Sequence, residues 1–467
     1  MLEFFKINDP LRMIGIVFLL MIFRIPYFLM DIPLTQPELL WQMIGERAAS
    51  GNLHYVDTIE GTGPFSVLVY WVNHLLVGNS LTSFRVISFL IILFQIYYTN
   101  ELLIKINAYE ESNYIPAFVL TVLFQLSFDF MTLSPALMGS TFVLLALGHL
   151  LQQTTINANT VPAILLMGFC AGVAFCFHFA YVVFLPFLFL AGLVIIGFSI
   201  QQLCLLLTAY LLPLSICAVF FFMQEGLSEL ITIYLSLGFQ TEPFQHISLN
   251  DLLFIFSLPL ALALFGYFKN NLLRRMNVTQ QKQNQLLLVF LLVNLSSFFL
   301  LDRISSYQFM AMLPALAYFT THLFNLSNKR ALQQILFYSY LILIPLIGYS
   351  WVFYQIEEPS FYNYAVRDEL PTGNPSSEKI MVLGENFEKY TRTGIANPYL
   401  NFRLTRRYFE DMNAMKRKMK FLTDLLKESP DIIIDEEGLY REWARNIPSL
   451  EVMYSIEEDG IIRKIKN

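Results

Sequence analysis

Four carboxylates crowd one stretch between long apolar segments, TQPELLWQMIGERAASGNLHYVDTIEGTGP, residues 35–64, and three of them, Glu38, Asp57 and Glu60, are candidates for chemistry. At a membrane–water boundary such groups can act as general bases toward an acceptor hydroxyl or amine, or hold an ammonium group or a metal. Each also has a plainer reading. Glu38 stands three residues after Thr35, the spacing of a capping box, and Pro37 suits the first turn of a helix. Asp57 and Glu60, three apart in a glycine-containing loop, read equally well as solvated loop acids.

The cationic counterpart is Arg303, at the outer end of an apolar run, where an unpaired charge would be costly in lipid. A guanidinium suits phosphate geometry; the structural alternative is an ion pair with Asp302 or an acid of the first loop. Tyr307, one turn on, would share its face. His178 sits between Phe177 and Phe179 and reads first as a satisfied buried histidine. Arg24 and Arg85 also fall in or near apolar runs; Arg24 reads as a cation that snorkels or pairs with Glu38 or Asp31. Asp129, in LSFDFMTLSP, reads as a helix-end polar residue, or as an acid reaching the site from another helix.

These side chains need a frame, and the composition says which. The 467 residues are 56% hydrophobic and 14% charged, with 44 Phe. Soluble chains carry about 25% charged residues, so this is an integral membrane protein. The net charge of −6 is spread thinly and offers no basic patch for nucleic acid. Cys170, Cys176, Cys204 and Cys217 all lie in apolar runs and form neither a zinc nor a disulfide framework. No cofactor is expected; a divalent metal is compatible with the acids, but nothing in their spacing indicates one.

Apolar runs of spanning length fall near 11–30, 64–79, 83–104, 113–131, 134–152, 161–179, 180–200, 202–223, 251–268, 284–301, 305–324 and 331–354. Lys6 and Arg12 place the N-terminus in the cytoplasm, and the basic loops holding Lys269, Arg274, Arg275 and Lys282, and Lys329 with Arg330, on the same side. The 35–64 segment, 224–250, 302–304 and everything after about residue 355 then face outward. That arrangement needs an odd number of crossings, whereas the runs number twelve; the discrepancy falls between 64 and 132. After Tyr354 the composition becomes that of a small soluble α/β domain. KIMVLGEN (379–386) and DIIID (431–435) predict strands, 403–428 a basic amphipathic helix, 437–445 a short helix, and EVMYSI with IIRKI a hairpin about Asp459-Gly460. Within 35–64, a helix is predicted to Ser50, stopped at Gly51. Its apolar face (Leu40, Met43, Ile44, Ala48) would lie on the membrane with Trp41 near the headgroups.

Glu38, Gly51, Tyr55, Asp57, Glu60, Pro64 and Tyr70-Trp71, in this order, resemble the first outer loop of the GT-C membrane glycosyltransferases. The nearest flavour is the bacterial aminoarabinose-transferase and protein-mannosyltransferase branch. GLSELITIYLSLGF (226–239), DRISSYQFMAMLPALA (302–317, through Arg303 and Pro314) and KIMVLGENFEKYTRTGIANPYL (379–400) resemble later family segments. The resemblance implies an all-α polytopic membrane protein of about 12–13 transmembrane helices with a small C-terminal α/β domain. Residues 1–354 would form the membrane domain, including outer loop 31–63, and 355–467 the extracytoplasmic domain. It further implies a multi-pass protein of the cytoplasmic (inner) membrane, with a polyprenyl-phosphate-sugar donor, a lipid or glycan acceptor on the outer face, and inversion at the anomeric carbon. Asp57, Glu60 and Glu38 would be the catalytic acids; Arg303, Tyr307 and His178 would bind the donor phosphate.

Several positions depart from the family pattern. Pro37 occupies the place of the catalytic aspartate, EGTGP that of Asp-x-Lys-Pro-Pro, and Tyr307-Gln308 that of His-Tyr. ALMGST (136–141) lacks an expected aspartate, and His178 stands near a position often filled by lysine. The alternative function is a catalytically silent scaffold or lipid-binding subunit of an envelope complex. A transporter is disfavoured, since the chain shows no repeat halves and few intramembrane charges.

Overall fold

In a computed structural model, all residues are described except 31, 156–159, 236–242, 274–275, 326–329, 357–363, 367–377, 392, 411–413, 437, 448, 457–460 and 466–467. Arg274, Arg275, Lys329 and the Asp459-Gly460 turn lie outside the described residues. By contact the chain forms two compact units. The first is Met1–Ile32, Leu81–Cys217 and Gln240–Phe361; the second is Pro33–Ser80, Ala218–Phe239 and Tyr362–Asn467.

The first unit is helical. Among the described residues, eight helices of the chain are long and apolar enough to cross a bilayer: Arg12–Leu29, Leu81–Lys105, Pro135–Gln152, Phe179–Ile196, Ile200–Met223, Leu249–Leu272, Val278–Leu300 and Arg330–Gln355. Val161–Phe177 and, in the second unit, Pro64–Val77 are shorter. At the centre of the first unit lie Ile115–Leu123, buried along its whole length, and Leu313–Asn325, buried from Leu313 to Phe324. Close packing there depends on small residues. A Cβ at Gly266 of the Leu249–Leu273 helix would come within 2.0 Å of the Phe319 carbonyl oxygen, so only glycine lets that helix meet Leu313–Asn325.

Several predicted spans are interrupted. The run 11–30 breaks between Arg12–Ile22 and Ile25–Leu29, and 113–131 ends as a 3-10 turn at Phe128–Met131. The run 305–324 opens as a 3-10 segment, Ser306–Met312. Just before it, strand β2 (Arg303–Ile304) pairs in parallel with β1 (Phe244–Gln245), with Arg303 opposite Phe244.

The second unit contains a five-stranded sheet: β3 (Lys379–Leu383), β4 (Gly394–Ile395), β5 (Ile432–Asp435), β6 (Tyr454–Ile456) and β7 (Ile461–Lys464). Its order is β4-β3-β5-β7-β6, with β3 parallel to β4 and β5 and β7 antiparallel to its neighbours. The predicted strands at 379 and 431 are present. EVM is not strand: Glu451–Met453 close a short helix, Ser449–Met453, because Leu450 and Tyr440 turn that segment inward. The basic amphipathic stretch forms two helices, Phe402–Glu410 and Ala414–Glu428. Helices Gln36–Ala49 and Pro64–Val77 belong to this unit and pack on each other, Trp41 stacking on Tyr70 with ring centroids 6.0 Å apart.

Candidate functional site

In the first unit the polar centre is the turn that follows Ile115–Leu123. Asp129, 3% exposed, accepts from the Ser127 hydroxyl at 2.7 Å, the Ser306 hydroxyl at 2.6 Å and the Tyr307 backbone N–H at 3.3 Å. Those donors are what a buried carboxylate requires. They also clamp the Phe128–Met131 turn to the segment bearing two predicted donor-binding residues, Arg303 and Tyr307. Both are buried, and Gln308 Nε2 donates to the Arg303 carbonyl at 3.2 Å, bracing the loop between them. Burial raises the neighbouring Asp302 carboxyl above the ordinary range, against the pull of the Arg303 guanidinium.

Asp31, one of the two carboxylates expected to pair with Arg24, lies outside the described residues. Arg24 Nη1 donates to the Phe128 carbonyl at 3.1 Å, and its guanidinium lies 5.2 Å from the centroid of the Tyr27 ring. His178 belongs to another neighbourhood: its ring meets Tyr181 edge-on at 5.1 Å, and Nε2 has no hydrogen-bond partner among the described residues. The structure therefore brings Arg303, Tyr307 and Asp129 together, and no described hydrogen bond links His178 to them.

In the second unit the three predicted acids have distinct surroundings. Glu38 completes the capping box: its Oε2 accepts from the Thr35 N–H at 3.1 Å and hydroxyl at 2.9 Å, while Thr35 Oγ1 accepts from the Glu38 N–H at 3.3 Å. Asp57 accepts from the Leu53 N–H at 2.8 Å and from the Lys427 ammonium. Its partial burial opposes ionisation, but the hydrogen bond and charge of Lys427 with the Leu53 N–H prevail and hold the carboxyl below the ordinary range. Glu60 is 2% exposed, and its Oε2 accepts from the Thr62 N–H at 2.5 Å.

Residues not singled out as site candidates in the sequence hold this loop in shape. Arg47, 4% exposed, donates to the Thr58 hydroxyl (2.9 Å), the Asp57 carbonyl (2.9 Å) and the Glu428 carboxylate (2.6 Å). Tyr55 turns the chain at φ 69°, a left-handed conformation uncommon outside glycine, and its hydroxyl donates to the Thr62 carbonyl at 2.7 Å. His54 is buried beside it. Burial lowers its imidazole to about 3, with the Thr62 and Glu60 carbonyls pulling the other way.

The C-terminal motifs grip the same loop. Gln36 pairs with Asn386 and the Phe387 N–H at 3.2 and 3.1 Å, and Ile59 exchanges backbone bonds with Pro398 (2.6 Å) and Asn401 (3.1 Å). GENF and NPYL are thus the docking strip for the acidic segment. The signals for Arg47 and His54 were faint: each is one polar residue within a segment already polar. Among the described residues, no three His, Cys, Asp or Glu side chains gather as a metal site.

No family model matches this chain, and no curated protein matches its sequence. Among solved structures, it aligns with ArnT from Cupriavidus metallidurans bound to undecaprenyl phosphate at a TM-score of 0.59 and 12% identity, over 96% of this chain and 97% of that one. The apo ArnT structure aligns at 0.51 and 12% identity, over 92% and 93%. The Archaeoglobus fulgidus oligosaccharyltransferase aligns at 0.47 and 12% identity, over 93% of this chain and 71% of that one. The fold is that of the GT-C membrane glycosyltransferases, and the chain is a multi-pass membrane protein. The likeness runs end to end with ArnT, an aminoarabinose transferase.

Proposed function

We propose that this chain is an integral membrane glycosyltransferase that moves a sugar from a polyprenyl-phosphate donor to an envelope acceptor on the outer face of the cytoplasmic membrane. The observation that carries the reading is the end-to-end fold likeness to ArnT, whose structure holds undecaprenyl phosphate.

In this reading Glu60 takes the proton of the acceptor. Asp57 is held by Lys427, and an oxygen of Glu38 is spent on the helix cap, so both serve chiefly to shape the loop. The acceptor oxygen attacks the anomeric carbon from the face opposite the phosphate. The carbon–oxygen bond to the phosphate breaks with inversion, and the polyprenyl phosphate leaves with the bonding pair. Arg303 stabilises the charge on that leaving phosphate, and Asp129 fixes the Ser306–Tyr307 backbone beside it. His178 has the weakest support as a donor ligand.

The scaffold reading keeps one specific support, because two of the three acids are engaged in folding contacts. The test is complementation of a strain lacking the chain, with its envelope glycan scored. Glu60→Gln and Arg303→Gln, at normal protein level, are expected to leave the glycan missing. Full restoration by both would overturn the enzyme in favour of the scaffold.

A further inference from the structure

Two arginines outside the predicted donor site lie beside the Ile25–Leu29 helix. Arg24 is 9% exposed, and among the described residues its Nε and Nη2 find no hydrogen-bond acceptor, while Nη1 donates to the Phe128 carbonyl at 3.1 Å. Arg85 stands four residues into the Leu81–Lys105 helix, its guanidinium 5.7 Å from the centroid of the Phe28 ring. Tyr27, beneath Arg24, is the residue before Phe28, so the two cations flank one short helix, Ile25–Leu29. Ser88, near Arg85, donates to the Arg85 and Met131 carbonyls at 3.0 and 2.9 Å. Both helices are thereby fixed to the ends of the same turn, Phe128–Met131. The acid on that turn, Asp129, directs its oxygens to Ser127, Ser306 and Tyr307. Neither arginine forms an ion pair among the described residues.

A buried guanidinium with unused N–H groups is costly unless an anion completes it. Its fork geometry favours an oxyanion with several acceptor oxygens over a point charge. We propose that Arg24 and Arg85 form a phosphate-binding site at the Phe128–Met131 turn. Three sources share this chemistry: the phosphate of a polyprenyl carrier, a bulk phospholipid headgroup and free phosphate. Assigning the carrier rests on the transferase reading above.

The test uses the full chain in lipid nanodiscs, titrated with undecaprenyl phosphate, undecaprenol, phosphatidylglycerol and inorganic phosphate. Binding of undecaprenyl phosphate is expected to weaken at least about tenfold in Arg24→Gln and in Arg85→Gln, the loss of roughly one charge-assisted contact. Arg24→Lys should fall between, and undecaprenol should not distinguish the variants. Because Arg85 is exposed, its variant keeps the test decisive if Arg24→Gln fails to fold. Equal binding by the wild type and the Gln variants would overturn the site and leave the arginines as braces. Arginine-dependent binding of phosphatidylglycerol or inorganic phosphate alone would keep the site and overturn the carrier assignment. If undecaprenyl phosphate binding falls in Arg303→Gln but not in Arg24→Gln or Arg85→Gln, this inference fails while the transferase reading stands.

Discussion

Asp57 and Glu60 are three residues apart, yet the fold treats them differently. Lys427 reaches Asp57, which is partly exposed, whereas Glu60 is sealed in beside the Thr62 N–H. Replacing Asp57 by Asn is therefore expected to loosen the loop but keep most activity, whereas Glu60→Gln should cost roughly 100-fold or more in turnover. Turnover on a lipid-linked donor separates the two; comparable losses would argue that both acids act chemically. His54 adds a pH signature. Its imidazole stays neutral down to about 3 in the folded loop, while an unfolded histidine takes its proton near 6.5. Between those values the unfolded chain binds the extra proton. Stability must therefore rise with pH across that window and fall on acidification, by up to about 1.4 kcal/mol per pH unit. Unfolding midpoints at pH 7 and 5 should differ more in the wild type than in His54→Gln; equal slopes would contradict this. The capping role of Glu38 was legible from Thr35 and Pro37, because a cap is local. The Lys427 partner of Asp57 was not, since nothing near residue 57 reports a contact 370 positions away.

At the scale of elements, we propose that Pro64–Val77 is the run that does not cross, given termini on opposite sides of the membrane. It has 14 residues, about 21 Å at 1.5 Å per residue, short of a hydrocarbon core of about 30 Å. Ser66, Val67, Tyr70 and Asn73 are buried, while Leu68, Trp71, Val72, Leu75 and Leu76 form an exposed apolar stripe at helical spacing. Such a helix suits the membrane surface, and setting it aside leaves an odd number of crossings. Single cysteines at Ser50 and Asn79 should then react with an impermeant thiol reagent from one side of the membrane, and one at Glu111 from the other. Labelling of 50 and 79 from opposite sides would restore a true span. The helix before it depends on Arg47. Arg47→Met leaves Glu428 without that partner and is expected to destabilise the second unit by about 3 kcal/mol, read from its unfolding midpoint. Periodicity displayed these helices well but could not show which apolar face meets lipid and which meets protein.

For the whole molecule, the membrane class was legible from composition and the GT-C fold from the order of Glu38, Asp57, Glu60, Arg303 and Pro314. What stayed hidden was the partition of the chain. The acidic segment and the C-terminal sheet form one compact unit although about 300 residues of helices separate them in sequence, and such long-range pairing leaves no local pattern. The knot of Asp129 with Ser306 and Tyr307 is hidden for the same reason: its members lie 177 and 178 positions apart. The central claim, transfer of a sugar from a polyprenyl-phosphate carrier, is tested most directly by mass spectrometry of the carrier pool in cells with and without the chain. A polyprenyl-phosphate-linked sugar should accumulate when the chain is removed, fall back when the wild type is restored, and stay high with Glu60→Gln. A carrier pool that is the same in all three would contradict the account.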